Sequence, residues 1–88
     1  MNELEKARLV INETDEQMAA LFMRRMQAAE TIAAYKKETG KAIKDPEREK
    51  ALIARNTEFI TDEALKPYYE KFIRRMIDLS CDYQAECM

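Results

Sequence analysis

The stretch LEKARLVINETDEQMAALFMRRMQAAETIAAYK, residues 4–36, decides the fold. It holds neither glycine nor proline, and its apolar residues return at helical spacing. In a heptad frame Leu4, Ile11, Met18, Arg25 and Ile32 take position a. Ala7, Thr14, Leu21, Ala28 and Tyr35 take d, and Arg8, Asp15, Phe22, Ala29 and Lys36 take e. The seam is apolar apart from specific interruptions. Arg25 stands where Leu or Ile is expected, while Arg8 and Lys36 flank the same stripe. Taken singly, Arg8 or Lys36 reads equally well as a side chain snorkelling at the seam's edge. Arg25 resists that reading, because an unpaired buried guanidinium is costly and needs an anionic partner.

Outward from this stretch, Gly40, Pro46 and Pro67 are the clear punctuation and divide the chain into three helices. The first is expected from about Glu3 to about Glu38, with Lys36 and Lys37 complementing its dipole and Gly40 just past its end. Its length predicts that it projects beyond one subunit's own core. The second starts at Asp45-Pro46, where Asp suits the N-cap and Pro the first helical position, and ends near Phe59. The third runs from about Pro67 to Gln84 or beyond, after a short turn at Thr61–Leu65. Its expected seam is Tyr69, Phe72, Ile73, Met76, Ser80, Tyr83 and Cys87, with Gln84 beside Ser80. Ser80 and Gln84 put polar groups where packing is expected, as a hydrogen-bonded pair between helices or as ligand contacts. Asp45, Arg48 and Glu49 share a face of the second helix, which alone reads as ordinary capping and a surface ion pair.

Composition sets the limits. At 88 residues the chain, 1–88, is read as one domain with a marginal core, for which disulfides, a metal or oligomerisation are the remedies. Histidine is absent, so a conventional zinc site lacks ligands. Cys81 and Cys87 lie roughly 9 Å apart along a helix, too far for a disulfide without breaking it. Oligomerisation remains. One glycine, two prolines and 36% charged residues make an all-α composition. A net charge of −2 argues against nucleic acid. No apolar run is long enough for a membrane, no export signal is visible, and reduced cysteines point to the cytoplasm.

Helical rise constrains the cations further. Arg8 and Arg25 sit roughly 25 Å apart on one helix and cannot share one small ligand. Arg25 and Lys36 face the same way at roughly 16 Å, which long side chains can span around a ligand. If Arg8 joins that site, it comes from an antiparallel second chain, and a two-fold dimer then has two equivalent pockets. With Arg48, Asp45 and Glu49 included, four cations face two carboxylates. The surplus of +2 suits a dianion. No group reads as an activated nucleophile: neither cysteine falls among these residues and Ser80 has no evident base. Fixed donors and charges suit orientation and electrostatic stabilisation of a substrate that reacts by itself.

At these residues the chain resembles the all-helical, AroQ-class chorismate mutases over essentially its whole length. The matching positions are Arg8 before Thr14-Asp15-Glu16, Arg25 of Leu21-Phe22-Met23-Arg24-Arg25, and Lys36 of Tyr35-Lys36-Lys37. Asp45-Pro46-Glu47-Arg48-Glu49 and the spacing from Ser80 to Gln84 complete the pattern. The resemblance implies an intertwined homodimer, with Arg8 supplied in trans, that converts chorismate to prephenate on the way to phenylalanine and tyrosine. It implies that Arg25 and the second chain's Arg8 bind the two carboxylates, with Ser80 assisting. Lys36 and Gln84 donate to the ether oxygen. Glu49 and the backbone at Asp45 hold the ring hydroxyl, and Arg48 supports the pocket and contacts a carboxylate. No cofactor and no metal are implied.

Two alternatives stay open on the residues. Isochorismate-pyruvate lyase shares this fold and acts on a similar dianionic enol-pyruvyl ether, although the second-helix motif and Gln84 match the mutase pattern without a gap. A non-catalytic helical dimerisation or regulatory module predicts instead that the seam cations pair with the protein's own carboxylates. The chain as given is expected to be monofunctional and without feedback control of its own. A fusion origin or a partner enzyme of the aromatic pathway is compatible with it.

Overall fold

The computed structural model describes all 88 residues as three α-helices and one short 3-10 turn, without strands. Helix α1 spans Glu3–Thr39, α2 Pro46–Glu58 and α3 Lys66–Cys87, with the 3-10 turn at Glu63–Leu65. The termini follow local chemistry. The Asn2 side chain accepts the Glu5 N–H at 2.8 Å to open α1. Gly40 closes it at φ 74°, its N–H bonded to the Lys36 carbonyl, which also takes the Lys41 N–H at 3.0 Å. This left-handed cap is what a glycine tolerates and a β-carbon resists. Asp45 accepts the Arg48 N–H at 3.2 Å to cap α2, and Asp62 accepts the Ala64 N–H at 3.0 Å ahead of α3.

Helix α3 is the centre of the fold, since α1 and α2 both pack on it. Ile73, Ile77 and Cys81 form its buried core, with Ile43, Leu52, Ile53, Tyr69 and Met76 packed around them. Helix α1 meets α3 through Ala29 and Ala33, whose small side chains let the two helices approach closely.

Two expectations about the seams are corrected. On α3 the buried stripe is Ile73, Ile77, Ser80, Cys81 and Gln84, a stricter helical repeat than the expected seam. Phe72 and Cys87 are exposed and Tyr83 is only partly covered. On α1 the intrachain contact runs through Arg25, Met26, Ala29, Ala33 and Lys36, so Arg25 is the one a or d residue within it.

Only eight of the 88 residues are buried, and every residue before Arg25 is exposed. The helix therefore carries Leu4, Ile11, Met18 and Leu21 into the open, along a molecule 55 Å long and 15 Å thick.

A second link between α1 and α3 is polar. The Tyr83 hydroxyl donates to Glu30 Oε1, and this bond is the main reason the phenol's pKa is pushed up from 10.0 to about 12. A folded-state pKa above the unfolded one means the link stabilises fully below pH 10 and is lost as pH rises through about 12. Spectrophotometric titration is expected to show one tyrosine ionising last. Glu30→Gln should lower that midpoint, because the carboxylate's charge and its acceptor oxygen both hold the proton on the phenol.

Candidate active site

The cleft lies where the C-terminal half of α1, the start of α2 and the last turns of α3 face one another. It is open to one side and has a volume of about 460 Å³. Arg25, Lys36, Asp45, Arg48, Glu49, Ser80 and Gln84 line it, bringing together seven of the eight residues singled out from sequence. The eighth, Arg8, is exposed on the projecting part of α1, roughly 25 Å of helical rise from Arg25, and does not reach this cleft.

Each side chain is held by its helix. Arg25 is half-buried on α1 and its Nη1 donates to Ser80 Oγ across the α1–α3 contact. The Ser80 hydroxyl also lies 4.0 Å from the Met26 sulfur. Lys36 Nζ donates to the Ile43 carbonyl at 2.7 Å, which ties the loop after Gly40 back to α1 and steadies the ammonium at the rim. That leaves two of its three N–H groups uncommitted. None of Arg25, Lys36 and Arg48 makes an ion pair with a carboxylate of the chain.

The acceptors are as distinctive. Glu49 is buried, with Arg74 Nη1 at 3.1 Å and Lys44 Nζ at 3.8 Å from its Oε1. Its Oε2 and the Gln84 Oε1 are buried with no partner. Two unpaired buried acceptors on residues that line one cleft are costly unless a ligand meets them or Gln84 turns its amide to donate. Three cations and two carboxylates give the cleft of one chain a surplus of +1.

Sequence reasoning missed parts of this site. Cys81, set aside with the other cysteine, lines the cleft as a free thiol between Ser80 and Gln84, while Cys87 is exposed. Ala28, Ile32, Leu52 and Ile77 supply apolar walls. Leu52 lies three residues after Glu49, a signal that the glutamate shares the inward face of α2 and needs a counter-ion. Sequence alone leaves several basic residues from which to choose it. No group of three or more His, Cys, Asp or Glu side chains is placed to hold a metal ion. No helix is long and apolar enough to cross a membrane.

The fold and cleft define an all-helical protein with a pocket of fixed cations and hydrogen-bonding groups. Comparison with known families takes this further: the chain belongs to the chorismate mutase type II family, whose model matches residues 7–85. Neither the curated proteins nor the solved structures gave a match.

Proposed function

We propose that this chain is a chorismate mutase, converting chorismate to prephenate in the cytoplasmic synthesis of phenylalanine and tyrosine. The observation that carries the reading is the set of three cations, free of internal ion pairs, around buried polar atoms that lack partners. A non-catalytic module would spend those cations on its own carboxylates. A dianionic ether suits them instead.

In this reading the substrate's carboxylates meet Arg25, Arg48 and Arg8 of a second copy, with Ser80 orienting Arg25. Glu49 Oε2 accepts the ring hydroxyl and the backbone at Asp45 assists. The apolar walls hold the enol-pyruvyl group over the ring, selecting the compact conformer. The C–O bond breaks as the C–C bond forms, no proton is transferred, and negative charge develops on the ether oxygen. Lys36 donates to that oxygen from a position already set by its bond to the Ile43 carbonyl, and Gln84 donates with its amide turned so that the N–H faces it. The homodimer is part of the proposal. It covers the apolar residues of α1 and brings Arg8 to the cleft, raising its surplus to +2.

Gln84 offers a sharp test. An amide donates at any pH, whereas a carboxyl must be protonated to donate. Gln84→Glu is therefore expected to make kcat rise as pH falls, against a wild type that shows no such acid requirement from this residue. The same pH–rate profile for both proteins would remove Gln84 from the ether oxygen.

A further inference from the structure

We propose that Arg74 is a positioning residue for this reaction: its ion pair commits one oxygen of Glu49 to the protein and reserves the other for the substrate's ring hydroxyl. The inference rests on the substrate proposed above. Arg74 does not line the cleft. It reaches Glu49 from α3, with its side chain half in solvent beside Lys50 and Lys71.

Three observations combine here. First, Arg74 Nη1 and Lys44 Nζ both approach the same oxygen, Oε1, at 3.1 and 3.8 Å. Lys44 also stands 3.8 Å from Asp78 Oδ1 and so divides its charge, leaving Arg74 as the closer and undivided partner. Second, Oε2 is buried and unpartnered, although a carboxylate ordinarily accepts at both oxygens. Third, the cleft cations Arg25, Lys36 and Arg48 make no ion pair with Glu49, although all line the same space.

A buried carboxylate requires a counter-ion. Arg74 supplies it from outside, so the cleft cations remain available for the substrate's carboxylates. Fixing Oε1 also fixes the direction of Oε2, as an acceptor must be when it selects a hydroxyl by geometry. Without Arg74, Glu49 turns toward the cleft cations and consumes both the acceptor and a cation.

The test is a double-mutant cycle in steady-state kinetics on chorismate, with Arg74→Met and Arg74→Lys each made in the wild-type and Glu49→Gln backgrounds. Arg74→Met is expected to lower kcat/KM about tenfold, the low end for a charged hydrogen bond because the arginine is half exposed. Most of the loss should fall in KM, since the hydroxyl contact is present in ground and transition states alike. Arg74→Lys should recover part of it. In the Glu49→Gln background the same changes should alter kcat/KM less than about twofold. If Arg74→Met fails to fold by circular dichroism, the Arg74→Lys arm is read in the same way. Wild-type kinetics in the Arg74 variants, or an equal loss in both backgrounds, overturns the inference and leaves the proposed function standing. A wild-type protein that leaves chorismate unchanged overturns the proposed function and this inference with it.

Discussion

Replacing Lys36 with methionine is expected to lower kcat/KM by about 10²- to 10³-fold, the range for removing one preorganised donor from a developing negative charge. Methionine keeps the apolar stem that packs at the rim, so the loss reports the ammonium rather than the volume. The same change removes the bond to the Ile43 carbonyl, which fixes the loop between α1 and α2. A single hydrogen bond of this kind contributes on the order of 1 kcal/mol, a loss of roughly 4–8 °C in Tm for a domain of this size. Circular dichroism melting measured beside the kinetics separates the two effects. Helicity should persist at the assay temperature while activity is lost. Activity within threefold of wild type in a folded Lys36→Met protein would show that Lys36 only ties the loop.

Arg8→Ala and Lys36→Ala are each expected to be nearly inactive, and a mixture of the two to regain activity. The reason is geometric. Arg8 lies on the exposed half of α1 and does not reach the cleft of its own chain, whereas Lys36 lines that cleft. In a mixed dimer, one pocket combines the Arg8→Ala chain's intact Lys36 with the Lys36→Ala chain's intact Arg8. The other pocket carries both changes. Random exchange of equal amounts makes half the dimers mixed, with one good pocket in two, so activity should return to about a quarter of wild type per chain. Tagged subunits and native mass spectrometry verify the exchange. No recovery after verified exchange would place Arg8 outside the site.

These two residues also show what sequence could and could not reveal. Arg8 was separated from Arg25 by helical rise alone, a property of any continuous helix. The helix ends at Gly40 and Asp45-Pro46 were legible for a similar reason, because their caps are local chemistry. Ser80 and Gln84 stand out as polar residues on the apolar seam of α3, and both are buried and line the cleft. The buried stripe of α3 runs through Ile77 and Cys81 rather than through Phe72 and Tyr83 of the expected seam. That stripe is set by how α3 lies against both α1 and α2, a tertiary fact that no local pattern contains. The Lys36–Ile43 bond depends on how the loop returns after Gly40. The choice of Arg74 for Glu49 depends on how α3 lies beside α2. Contacts between distant segments were thus the illegible part, including the two that hold Lys36 and Glu49 in place.

In the proposed reaction this cleft orients a dianionic ether and stabilises its rearrangement without breaking it into separate molecules. Proton NMR of the purified chain incubated with chorismate, and separately with isochorismate, measures this directly. Chorismate is expected to be replaced by an equal amount of prephenate, with pyruvate released from neither substrate. Chorismate left unchanged beyond its spontaneous rate, or pyruvate released from isochorismate in place of mutase turnover, would contradict it.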